Sequence, residues 1–106
     1  MPQIIVKNVD LETVKKVSGK ISHAVAEIVD VPIEHIVVEY NNVEFFRCGE
    51  KDEKTAMIWV SWKKRSAELQ EKVAKALAEI LFEEGYSPVE TVYDNLNMDD
   101  FYEYFR

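Results

Sequence analysis

The chain matches itself at an offset of 56 positions, and that repeat restricts its fold more than any other feature. Asp10 and Ser66 head two apolar-periodic runs; within them Ile21 matches Leu77, Ala24 matches Ile80 and Val25 matches Leu81. Pro32-Ile33-Glu34-His35-Ile36 likewise matches Pro88-Val89-Glu90-Thr91-Val92. Spacing of this length points to a duplicated strand–helix–strand unit. A right-handed crossover leaves the two strands of each unit parallel. Set side by side, two units make an α+β chain of βαββαβ order, with a four-stranded mixed sheet and both helices on one face. The expectation is a single domain over 1–106, with pseudo-repeats at about 2–46 and 56–96 and an aromatic tail at 97–106.

The local pattern agrees. Gln3 to Lys7 is short, apolar and β-branched, as in a buried strand. Asp10 reads as an N-cap, followed by Leu11, Val14, Val17, Ile21, Ala24, Val25 and Ile28 at helical spacing. Val31-Pro32 stops that helix, because a residue before proline avoids helical geometry. A second strand is expected from about His35, with Ile36, Val38 and Tyr40 on one face. The apolar parity then shifts to Val43 and Phe45, which predicts a bulge or tight bend at Asn41-Asn42. Cys48 to Thr55 reads as a polar loop. Ala56 to Trp62 is apolar on both faces apart from Ser61 and is expected to be the central strand. Lys63-Lys64-Arg65 forms a turn, Ser66 caps a helix carrying Leu69, Val73, Ala76, Leu77, Ile80 and Leu81, and Gly85 ends it. Pro88 leads into a last strand, Val89 to Asn95.

Strands such as Ile4-Ile5-Val6 and Met57-Ile58-Trp59-Val60 are apolar on both sides, so both sheet faces need cover. The chain supplies two helices for one face. The cover expected for the other is a further copy of the protein. A net charge of −7 opposes a nucleic-acid partner, which needs a clustered basic surface. No apolar run is long enough to span a bilayer, and no signal-peptide pattern opens the chain. A single cysteine, Cys48, fits a reducing cytoplasm. His23 and His35 share no metal-ligand spacing with Cys48 or with an acidic pair, so neither a metal nor a cofactor is expected.

The chain opens Met1-Pro2-Gln3-Ile4-Ile5-Val6. With Met1 removed, Pro2 is a secondary amine held at a strand end. Free α-amino groups titrate near ~8, and apolar burial lowers that value. A base poised near neutrality follows with no histidine required. The duplicated βαβ chain beginning Met-Pro resembles the tautomerase superfamily, which includes one-unit 4-oxalocrotonate tautomerases and two-unit proteins of the macrophage migration inhibitory factor type. The turn Trp62 to Arg65 and the tail around Phe101-Tyr102 resemble a bacterial branch known mainly as a domain of unknown function.

The resemblance implies a homotrimer with active sites at subunit interfaces, and Pro2 as general base for keto–enol interconversion of a small keto acid. It also implies that Tyr93 and Asn95, in a Val-Tyr-x-Asn stretch, contribute to the site; period two puts them on one strand face. Arg65, at a strand-to-helix turn, is the basic residue best suited to a substrate carboxylate, which guanidinium can hold bidentately. Arg47 and Lys7 are further candidates. Val31 stands where the inhibitory-factor type has a substrate-anchoring lysine. Two alternatives share the element order: a non-catalytic trimeric binding or structural protein, and a ferredoxin-like regulatory module.

Overall fold

A strand in which alternate residues are apolar buries one face only, and Gln3–Lys7 (β1) does so: Ile4 and Val6 are fully buried, while Gln3, Ile5 and Lys7 are partly exposed. The structure, a computed structural model, describes residues 2–106. Met1, whose removal the catalytic reading of Pro2 requires, lies outside the described residues. After β1 comes helix α1 (Leu11–Val29), then β2 (Val37–Asn41), β3 (Phe45–Arg47), β4 (Glu50–Asp52), β5 (Ala56–Lys63), helix α2 (Ala67–Glu83) and β6 (Val89–Leu96).

The two helices begin alike. The Asp10 carboxylate accepts the Thr13 N–H at 3.2 Å, and the Ser66 hydroxyl accepts the Leu69 N–H at 3.2 Å. Each such cap contributes about 1 kcal/mol. Both helices bury the same stripe: Val17, Ile21 and Val25 in α1, and Val73, Leu77 and Leu81 in α2, are all fully buried. Each pair is 56 positions apart. Truncating one of these, as in Leu77→Ala, costs about 2–5 kcal/mol. Helix α1 stops as the Pro32 signal predicts, but the closing residue is Asp30, in the left-handed region at φ 55° with its N–H on the Ala26 carbonyl. Gly85, at φ 93°, closes α2 in the region where glycine has no Cβ penalty.

The main sheet runs β2-β1-β5-β6. β1 is parallel to β2, β5 is parallel to β6, and β1 meets β5 antiparallel at the centre. The fold is therefore α+β with a mixed sheet, and β5 is an inner strand as its two-faced apolarity predicts. The ferredoxin-like alternative is overturned here. In that split arrangement the strands of each βαβ unit are separated by another strand; here they are direct neighbours.

Two local expectations change. Ile33–His35 forms a 3-10 turn, so the second strand begins only at Val37. The segment Cys48 to Thr55, read as a polar loop, holds the turn and second strand of a hairpin in which β4 pairs antiparallel with β3. Its turn is Cys48-Gly49, with φ 54° and 81°; two positive φ values match the strand twist in a two-residue hairpin. The parity shift after Tyr40 is a tight bend in which the Val43 N–H reaches the Asn41 carbonyl at 2.9 Å. It carries the chain out of the main sheet into the hairpin.

Asn8 ties the hairpin down. Its Nδ2 donates to the carbonyls of Asp52 and Thr55, both at 2.8 Å, and its Oδ1 accepts the Phe45 N–H at 3.1 Å. The face of the main sheet away from the helices stays partly open. It carries Gln3, Ile5, Val37, Glu39, Met57, Trp59 and Val92, with Val37 50% exposed. The Lys7 ammonium lies 4.9 Å from the centre of the Trp59 ring on this face.

Candidate functional site

Pro2 is buried at the head of β1, and its carbonyl accepts the Val37 N–H at 3.0 Å. Gln3 stands opposite Ser61 in β5, so one further antiparallel step sets Pro2 opposite Trp62. Trp62 in turn is paired with Asn95 in β6. Pro2, Trp62 and Asn95 thus occupy one row at one end of the sheet. Strand spacing places the Asn95 backbone about 10 Å from that of Pro2.

Trp62 is fully buried and organises this end. Its indole N–H donates to Asn95 Oδ1 at 3.2 Å. The Tyr93 ring stacks on it, centroids 4.8 Å apart and planes 12° from parallel. The Arg65 Cζ lies 5.2 Å from the centre of its ring. Arg65 leaves β5 just before the Ser66 cap of α2, and its Nη1 donates to the Lys63 carbonyl. Arg65, Tyr93 and Asn95 therefore all meet Trp62, and Pro2 stands at the same end of the sheet, one strand across. Trp62 itself is read from sequence as the end of a central strand and the start of the turn to Arg65, with no role at the site. The available signal was its place at the strand end immediately before Lys63-Lys64-Arg65.

Tyr93 faces the helices, and its hydroxyl donates to the Gln70 carbonyl in α2. Burial pushes the phenol up to about 12, so it is neutral across the physiological range. Its ring packs at the site while its hydroxyl is committed to the helix.

Lys7 and Arg47 stand elsewhere in the chain. Lys7 ends β1, five residues from Pro2 and so about 17 Å away along the strand. The Arg47 Nε pairs with Asp52 Oδ2 at 3.1 Å, and its Nη2 donates to Thr55 Oγ1 at 3.3 Å, on the hairpin at that far end. The Asp52 carboxylate also accepts the Thr55 hydroxyl and the Lys54 and Thr55 N–H groups, which hold it well below the usual carboxylate range. Two cavities, of about 300 and 600 Å³, open at this far end as well. One lies beside Asn8, Tyr40 and Tyr86; the other lies between the hairpin and Ser87-Pro88. Among the described residues no helix is long and apolar enough to cross a membrane, and no three His, Cys, Asp or Glu side chains gather as a metal site.

Three solved structures share the architecture. A domain of unknown function (DUF1904) from Sebaldella termitidis superposes with TM-score 0.89 at 26% identity, covering 97% of this chain and 95% of that one. Macrophage migration inhibitory factor of Toxoplasma gondii gives TM-score 0.79 at 18% identity, covering 99% and 98%. A fused 4-OT, described as a wild-type asymmetric trimer, gives 0.81 at 12%, covering 96% and 92%. The last two are tautomerase superfamily members, so the fold is that of the superfamily. Among curated proteins none matches in sequence. The family model described as a domain of unknown function (DUF1904) matches residues 1–104, and the chain belongs to that family.

Proposed function

We propose that this protein is a keto–enol tautomerase of small keto acids, with the nitrogen of Pro2 as general base once Met1 has been removed. The observation that carries the reading is the burial of Pro2 at the head of β1, in one row with Trp62 and Asn95, at the end of the sheet where Arg65 lies against Trp62. A neutral secondary amine accepts the enol O–H proton as the enolate forms, then returns that proton to the adjacent carbon as the carbonyl is made. The N–H bond formed in the first half is broken in the second, and no cofactor takes part. Arg65 holds the substrate carboxylate through its planar fork. Asn95 donates to the oxygen that gains charge, and donors aimed there lower the barrier most.

The active unit is a homotrimer. The open sheet face bearing Ile5, Met57, Trp59 and Val92 supplies the apolar surface for it, and the fused 4-OT neighbour is a trimer. In that assembly Asn95, on the edge strand β6, serves the Pro2 of its own chain or of the adjoining copy. Lys7 and Arg47 reach a Pro2 only across a subunit boundary. The cytoplasm is the proposed compartment, where the exposed Cys48 stays reduced. A non-catalytic trimer of the same fold is the second reading, favoured by the position of both cavities at the end of the sheet away from Pro2.

Alkylation separates the two readings. Treatment with a 3-halopropiolate is expected to add one label per chain at Pro2 and to abolish enol-to-keto conversion of phenylpyruvate in proportion. Label elsewhere, or full activity after Pro2 is labelled, would rule out Pro2 as the base.

A further inference from the structure

We propose that Trp62 is the positioning residue of this site, fixing the Asn95 amide as an outward hydrogen-bond donor toward an anionic ligand. The inference rests on the reading of the Pro2 end as a site for keto and enol acids.

An indole N–H can donate but cannot accept. The Asn95 atom that meets it at 3.2 Å is therefore the amide oxygen. Asn95 is exposed on the edge strand and its Nδ2 meets no acceptor among the described residues, so its two N–H bonds are available to a ligand. A free asparagine on an edge strand would present oxygen and nitrogen about equally, and the oxygen would repel an enolate or carboxylate. Trp62 removes that ambiguity. It is itself held firmly, since it is fully buried and stacked on Tyr93. Tyr93 is anchored to the Gln70 carbonyl of α2. A continuous line of contacts thus runs from the helix backbone through Tyr93 and Trp62 to the Asn95 amide, and the same Trp62 ring carries Arg65. Deleting a hydrogen bond to a charged group weakens binding by about tenfold or more. Losing the orientation of the donor should have a similar effect.

The test is binding of phenylglyoxylate, a 2-keto acid with no hydrogen on carbon next to its carbonyl, so that turnover cannot intervene. Side-chain ¹H–¹⁵N spectra would follow the Asn95 amide and the Trp62 indole during titration of the wild-type protein. Both signals are expected to shift with one Kd. Asn95→Ala should weaken binding about tenfold, and Trp62→Phe, which keeps a ring against Tyr93 but loses the N–H, about as much. The double variant should be no weaker than Asn95→Ala alone, because the two residues act as one unit. An unmoved Asn95 amide, unchanged binding by either single variant, or multiplied losses in the double variant would overturn the inference. Where Trp62→Phe fails to fold, the wild-type Trp62 indole signal decides the matter: it should move with the Asn95 amide at one Kd, and an unmoved indole would overturn the inference. Phenylpyruvate turnover without the Asn95 shift would overturn this role and leave Pro2 as base; the shift without turnover would do the reverse.

Discussion

Arg65 rests against Trp62, its Cζ 5.2 Å from the ring centre, with one guanidinium nitrogen donating to the Lys63 carbonyl. A guanidinium has five N–H donors in a rigid fork, and among the described residues the remainder meet no other acceptor, which leaves them for a carboxylate. Lysine at this position would keep the charge but lose both the fork and the stacking. Arg65→Ala and Arg65→Lys are each expected to raise KM for phenylpyruvate about tenfold, with a smaller change in kcat. Steady-state kinetics checks this; unchanged KM in Arg65→Ala would remove Arg65 from the site.

Asn8 holds the hairpin to the end of β1 through three hydrogen bonds while its own backbone sits at φ 62°. Asparagine tolerates that left-handed conformation better than most residues. Asn8→Ala loses the three bonds and adds backbone strain, so it should cost about 2–4 kcal/mol in urea unfolding. Asn8→Gly relieves the strain but not the lost bonds and should fall between alanine and wild type. A loss below about 0.5 kcal/mol for Asn8→Ala would show that the hairpin is held by other contacts.

Burial raises the Tyr93 phenol to about 12. Its folded value lies above the unfolded value near ~10, so the stability it contributes is complete below pH ~10 and is lost as pH rises toward 12. The chain has five tyrosines. Absorbance at the tyrosinate band should include a step near pH 12, and Tyr93→Phe should delete it. Loss of an early step instead would place the Tyr93 hydroxyl in solvent.

The open sheet face centres on Trp59, flanked by Ile5 and Val92 in neighbouring strands. An apolar face of this kind is stable in water when a second surface covers it. Trp59→Glu should convert a trimer to monomers in sedimentation, because burying an unpaired carboxylate is costly. A wild-type monomer, or a trimer unchanged by Trp59→Glu, would contradict this use of the face.

Much of this architecture is visible in the residues. Ile4 and Val6 alternate, Val17, Ile21 and Val25 recur at helical spacing, and Asp10 and Ser66 announce helix starts. Each depends on near neighbours in sequence. The hairpin of Phe45–Arg47 and Glu50–Asp52 escaped because three-residue strands have no measurable period, and Cys48-Gly49 is not a usual turn pair. Asn8 reads as a loop residue; its partners lie 37 to 47 positions away. The burial of Trp62 was evident, but its bond to Asn95 needs the parallel register of β5 and β6. The placement of Lys7 and Arg47 was not legible. Charge has no direction in a sequence; β1 carries Lys7, and the hairpin carries Arg47, to the end opposite the Pro2 of the same chain.

The most direct test of Pro2 as base combines intact mass with turnover on one sample. Protein lacking Met1 is expected to convert the enol of phenylpyruvate to the keto form. Its rate should rise with pH as the proline ammonium loses its proton. Pro2→Ala, and protein that retains Met1 and so has an amide nitrogen at Pro2, should be slower by about 100-fold or more. Full activity in either form would contradict catalysis by Pro2.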